Sequence, residues 1–194
     1  RDVMRLNYDR RGEYLGSFHA RDRLLIIRES GECYTTDFAE GIHIEDDLLR
    51  IEKYQEKKLW TAVYYDADAG CDYIKRFMID PEQKRENILG DNPQNRFLIL
   101  TDTYYPRLAL GRKERNGEIR MSELDVETFA LVKGIRAKGK RLANYPVVEL
   151  SELPPLKESP IIEDEEPNTS TEEGEEDLFA PSDFSPEEDN ATQQ

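Results

Sequence analysis

The length of the apolar runs constrains this chain more than any other feature. RLLIIR (Arg23 to Arg28), CYTTDF (Cys33 to Phe38), LWTAVYY (Leu59 to Tyr65), CDYIKRFMI (Cys71 to Ile79) and RFLILTD (Arg96 to Asp102) are each short and bounded by turn residues. Such runs indicate strands rather than long amphipathic helices. Glu29-Ser30-Gly31-Glu32 joins the first two, with Gly31 able to take the φ > 0 conformation of a tight turn. Asp66-Ala67-Asp68-Ala69-Gly70 joins the second pair. A third unit begins at Arg96, runs through YYPRLAL and turns at Asn116-Gly117 into EIRM; Asn-Gly is a strong two-residue hairpin signal.

Three hairpin-centred units therefore recur at roughly 35 to 40 residues, the spacing of a propeller-like all-β fold in which stacked neighbours bury what one unit cannot. The same periodicity also fits a sandwich or a barrel. Two stretches fit short helices: Asp47 to Lys58, through the spacing of Leu48, Leu49, Ile51 and Tyr54, and Ser122 to Thr128, where Ser122 and Asp125 imitate a capping box.

Charge divides the chain in two. The 194 residues carry a formal net charge of -15. Fifteen acidic residues and one lysine lie between Ser151 and Gln194, leaving 27 acidic and 26 basic residues before them. The C-terminal stretch is rich in proline and poor in apolar residues, so it cannot offset the entropy of ordering. The expected organisation is a folded body over residues 1–148 and an acidic disordered tail over 149–194. Two cysteines, Cys33 and Cys71, cannot build a disulfide framework, and no apolar run approaches the roughly 20 residues of a membrane helix. These features predict a cytoplasmic protein that does not enter a membrane, and an opening Arg1 in place of Met suggests a piece of something longer.

YDRRGEYLGSFHARDRLLIIRESGECYTTDF, KKLWTAVYYDADAGCDYIKRFMID, RFLILTD and LVKGIRAKGKRL follow one another like successive blades of one family. Together they resemble the C-terminal domain of the bacterial type IIA DNA topoisomerase A subunit, the DNA gyrase A and topoisomerase IV A group. Asp22 to Tyr34 and Tyr73 to Phe77 carry the likeness best, and it covers roughly residues 5 to 145. It implies a β-pinwheel, a propeller variant with strands exchanged between blades, whose rim binds and bends duplex DNA. With about three blades the arc is open or truncated. The Gly- and Lys-rich box of gyrase is absent, with Arg10-Arg11-Gly12 and Lys138-Gly139-Lys140-Arg141 as partial echoes, which implies a topoisomerase IV-like subunit. The family's nucleophilic tyrosine lies upstream of this domain, so no catalytic residue is expected here. The resemblance further implies that the rest of the A subunit and the ATPase (B) subunit are partners, and that the protein associates with the bacterial nucleoid.

Candidate DNA contacts follow from the basic clusters: Arg10 and Arg11; Arg21 and Arg23; Lys75 and Arg76; Arg112 and Lys113; and Arg136, Lys138, Lys140 and Arg141. Cations at strand ends and rim loops meet phosphates in a sequence-independent, salt-sensitive way. The competing reading is a solvated face balanced by the acids of the same body. No metal or cofactor is expected: His19, His43, Cys33 and Cys71 are too scattered for zinc, and Asp66 to Asp72 lacks the glycine and glutamate places of a calcium loop. A protein-interaction module that docks a chromosome-organising partner is the alternative function.

Overall fold

A computed structural model describes residue 6 and residues 12–160. The described chain is almost entirely strand. β1 (Arg23–Arg28) and β2 (Glu32–Asp37) form the first hairpin, β4 (Leu59–Asp66) and β5 (Cys71–Met78) the second, β8 (Arg107–Lys113) and β9 (Ile119–Asp125) the third. Three sheets grow around these hairpins, and among the described residues none closes into a barrel.

Each sheet is completed by the same two additions. After every hairpin the chain returns as a strand along the outer side of the hairpin's first strand: β3 (Leu48–Lys53) on β1, β7 (Arg96–Thr101) on β4, and β12 (Val147–Leu153) on β8. Before returning, it reaches back to the preceding unit. β6 (Glu86–Asn87), which follows the second hairpin, pairs with β2 of the first sheet. β10 (Val132–Lys133) and β11 (Lys140–Arg141), which follow the third hairpin, pair with β5 of the second. After the first hairpin the Gly41 amide donates to the Leu6 carbonyl and the Leu6 amide to the Ile42 carbonyl, at 2.8 and 3.4 Å.

Every reach-back segment also carries one apolar side chain into a core. Ile88, beside β6, is buried with Leu25, Ile27, Trp60, Phe77 and Ile79 between the first and second sheets. Leu142, beside β11, is buried with Val63, Ile74, Leu108, Leu110 and Val126 between the second and third. Ile44 packs with Leu6, Leu24, Ile26 and Tyr34. The second sheet is thus covered on both faces, which explains why β4 reads as a near-continuous apolar run instead of an alternating one. The third sheet has one exposed face, and β9 is exposed at six of its seven residues.

The structure corrects three expectations. Residues 47–58 form no helix: β3 occupies Leu48–Lys53, because pairing with β1 satisfies its backbone and outweighs a weak helical spacing. Ser122 caps nothing; it lies within β9, and the four-residue helix α1 (Val126–Phe129) is capped by Asp125, whose carboxylate accepts the Glu127 amide at 3.1 Å. RFLILTD belongs to the second sheet, not the third unit, since β7 fills the open side of β4. In addition, β12 carries the fold past position 148, the expected boundary. Most of the acidic tail, residues 161–194, lies outside the described residues, as do Arg10 and Arg11.

Gly31 shows why the reach-back is tolerated. Its φ is +95°, and a Cβ there would strike the Asn87 and Leu89 side chains of the arriving segment, while its carbonyl accepts the Ile88 amide at 2.8 Å. Because Ile88 is the buried plug of that segment, Ile88→Ala is expected to cost about 2–5 kcal/mol in urea unfolding, and a loss under about 1 kcal/mol would show that the plug contributes little.

Candidate nucleic-acid interface

Charge on the body is not used uniformly. In the first two units Arg23, Arg28, Arg50, Lys53, Lys58 and Arg85 are tied to carboxylates. Arg28 Nε meets Asp47 at 2.7 Å and its Nη1 meets Glu32 at 3.1 Å, with Arg85 also on Glu32. Arg50 and Lys58 share Glu52 and Asp102 at 2.5–3.2 Å and both lie about 5 Å from the ring centre of the buried Trp60. Arg23 meets Asp37 at 2.6 Å, leaving Arg21 exposed without an ion pair. Charges compensated in this way offer little net field to a polyanion.

Lys75 and Arg76 lie inside the protein, each only 4% exposed. Lys75 Nζ donates to the carbonyls of Ile135 and Ala137 at 2.7 and 3.2 Å, and Arg76 donates to the carbonyls of Ala130 and Tyr104 at 3.5 and 3.1 Å. They hold the 130–142 segment against β5 and present no charge at the surface. Both were candidate DNA contacts from the sequence; the segment arriving on the edge of β5 engages both instead.

That segment, LVKGIRAKGKRL, is stapled at several points. Arg136 makes a two-bonded pair with Glu86 at 2.7 and 2.8 Å, and Lys138 meets Asp66 at 3.0 Å. The Tyr64 hydroxyl donates to the Lys138 carbonyl at 2.5 Å. Gly139 has φ +89°, and a Cβ there would collide with the Ile74 carbonyl, so only glycine lets the chain pass so close to β5. Asp66 accepts the amides of Asp68 and Ala69 at 3.0 Å. Burial opposes its ionisation, but the Ala69 amide and the Lys138 ammonium outweigh this and hold its carboxyl below the usual range. The 66–72 turn therefore spends its carboxylate internally. Among the described residues no cluster of His, Cys, Asp and Glu is suited to a metal ion.

Exposed cations without a carboxylate partner among the described residues are Arg21, Lys57, Lys84 and Arg96 in the first two units, three on β10 and β11, and four on the third hairpin. Lys133, Lys140 and Arg141 on β10 and β11 are exposed with no carboxylate partner among the described residues; Lys140 lies 3.9 Å from the centre of the Phe129 ring and donates to the Phe129 carbonyl. Lys133 and Lys140 flank a cavity of about 320 Å3 floored by Ile74 and Lys75. On the hairpin itself Arg112, Lys113, Arg115 and Arg120 are exposed, and none forms an ion pair among the described residues. Arg112 and Arg120 stand directly opposite each other in the β8–β9 register, with Arg112 over the Tyr145 ring at 5.1 Å. Like charges facing across strands repel, and an anion bridging them would relieve that repulsion. Arg115, Arg120 and Lys133 were absent from the sequence-based set. Counting outward from a two-residue Asn116-Gly117 turn sets Arg120 across from Lys113; the loop is one residue longer, with Glu114 bonded to Glu118, and this moves Arg120 to face Arg112.

Lys75 also yields a pH signature. Burial pushes its ammonium down to about 8 from 10.5, so the unfolded chain binds more protons between those values and stability from this group rises with pH there. Cys33, Tyr54 and Tyr64, each pushed up to about 12 by burial, act in the opposite direction above pH 9 to 10. Subtracting Lys75→Met from wild type cancels those contributions. The stability difference, wild type minus variant, is expected to grow in favour of wild type from pH 8 to 10 in chemical denaturation, and a flat difference would contradict the buried-charge assignment.

No helix among the described residues is long and apolar enough to cross a membrane. No curated protein matches the sequence. Residues 5–154 match the family model described as topoisomerase C-terminal domain, Bacteroidota, a span that takes in all three sheets and the uncompensated cations of the third hairpin. The chain belongs to the bacterial topoisomerase C-terminal domain family.

Proposed function

We propose that the body is the non-catalytic DNA-binding element of a type IIA topoisomerase A subunit, of the topoisomerase IV rather than the supercoiling gyrase kind. In this reading its three sheets are blades of an open β-pinwheel that captures or bends duplex DNA, without a metal or cofactor of its own. The rest of the A subunit breaks and rejoins the DNA and the B subunit hydrolyses ATP, in the cytoplasm at the nucleoid. The observation that carries the reading is the facing pair Arg112 and Arg120, exposed and without a carboxylate partner among the described residues, with Lys113 and Arg115 on the same hairpin; Lys133, Lys140 and Arg141 add exposed cations on the edge of the second sheet. Phosphates fit such a surface because they need only positive charge at the right spacing, with no base-specific geometry. Lys75 and Arg76 are no part of the contact surface, and Arg136 and Lys138 reach DNA only by sharing or leaving their carboxylates. A second reading, a module docking a chromosome-organising protein, draws on the first sheet, where paired charges such as Arg28, Glu32 and Asp47 suit a protein surface better than a polyanion.

Two outcomes test the DNA reading. In a salt series read by anisotropy with a linear duplex, Arg112→Gln with Arg120→Gln is expected to weaken binding and flatten the slope of log affinity against log salt by about 2, at about 0.9 per lost phosphate contact. Unchanged affinity and slope would move the reading to a protein partner. The acidic tail, covalently joined to the body, competes with DNA at high effective concentration. Ending the chain after Pro160 is therefore expected to tighten binding at low salt, whereas an end after 150 would remove part of β12 and confound the comparison.

A further inference from the structure

β10 and β11 meet the same edge of β5 at different points, because β4 takes the other edge. Val132 and Lys133 pair with Arg76 and Phe77, whereas Lys140 and Arg141 pair with Ile74 and Tyr73. The cavity of about 320 Å3 lies beside this split edge, with an apolar wall of Ile74, Ala130 and Leu131. Leu131 is 77% exposed although it is a leucine, so apolar carbon stands open at the same place as two exposed lysines, Lys133 and Lys140. A volume of this size is at the small end of the roughly 300–1,000 Å3 of ligand sites.

Lys75 gives the cavity its third positive charge, and it is 4% exposed. Two of its donors go to the carbonyls of Ile135 and Ala137, and the rings of Tyr64 and Phe77 lie 5.8 and 5.6 Å from its Nζ. An ammonium has three donors, which leaves one for a ligand. Burying an ammonium without a carboxylate beside it is costly, and here the buried charge lies in the lining of a cavity. Burial brings Lys75 down to about 8, so the group is still charged at pH 7.

These features define the chemistry of a ligand. Three ammonium groups, with no acidic side chain among the described residues that line the cavity, suit a dianion better than a single carboxylate. A phosphate monoester is largely dianionic at pH 7, its second pKa being about 6. The apolar wall adds affinity for an ester group that inorganic phosphate lacks.

We propose that this cavity binds a small phosphate monoester, with the apolar group against Ile74, Ala130 and Leu131 and the phosphate held by Lys133, Lys140 and the third donor of Lys75. The site does not include the facing pair Arg112 and Arg120. It stands whether or not DNA is the ligand of the body, and its test contains no DNA.

The test is a titration of the full chain with naphthyl phosphate at pH 7, followed by NMR. Saturable shifts are expected at the amides of Ile74, Leu131 and Lys140, with intermolecular NOEs from the naphthyl protons to the methyl groups of Ile74, Ala130 and Leu131. Naphthyl phosphate is expected to bind at least about tenfold more tightly than inorganic phosphate. Lys133→Gln with Lys140→Gln, both exposed positions, is expected to weaken naphthyl phosphate by about tenfold or more. An unchanged spectrum of β1 to β4 in that variant shows that it is folded. Equal affinity for inorganic phosphate would overturn the proposal, since the surface would then be reading charge alone. NOEs to other side chains, an unchanged affinity in the double variant, or no saturable shift would overturn it as well.

Discussion

Everything in this body depends on closing the outer edge of each hairpin. A two-stranded hairpin leaves a row of unpaired amides and carbonyls and cannot bury both faces alone. Here the missing strand for one hairpin comes from the chain that follows the next, and it brings a plug, Ile44, Ile88 or Leu142, for the core between neighbours. Backbone pairing and core packing are thus supplied by the same few residues, so the sheets depend on one another. Strand exchange of this kind is what the family resemblance implied, and it accounts for glycines at Gly31 and Gly139, where the arriving or passing chain leaves no room for a side chain.

The same device sorts the charges. Reach-back segments press against a sheet edge, so basic residues near the contact become structural: Lys75 donates to the Ile135 carbonyl and Arg76 to the Ala130 carbonyl of the arriving segment, and Arg136 and Lys138 are drawn to Glu86 and Asp66. Among the described residues no segment covers the outer edge of β9, and Arg112, Lys113, Arg115 and Arg120 have no carboxylate partner there.

Much of this was legible in the sequence, and the failures have physical causes. The hairpins were readable because alternating apolar residues and the turns at Gly31, Gly70 and Asn116-Gly117 act locally. β6, β10 and β11 were not, because a two-residue strand has no periodicity and is defined by its partner. β3 read as a helix because Leu48, Ile51 and Tyr54 fit one helical face until β1 supplied a strand to pair with. The basic clusters were correctly seen as clusters, but sequence shows charge without showing compensation. Arg136 and Lys138 looked identical to Lys140 and Arg141 until Glu86 and Asp66, many residues away, were found beside the first two.

The most direct test of the proposed DNA contact is a map of backbone amide shifts on addition of a short duplex at low salt. Binding by the uncompensated cations predicts perturbations on the β8–β9 hairpin and on β10 and β11, with β1 to β3 unmoved. Perturbations centred on the ion-paired first sheet, or none anywhere, would contradict it.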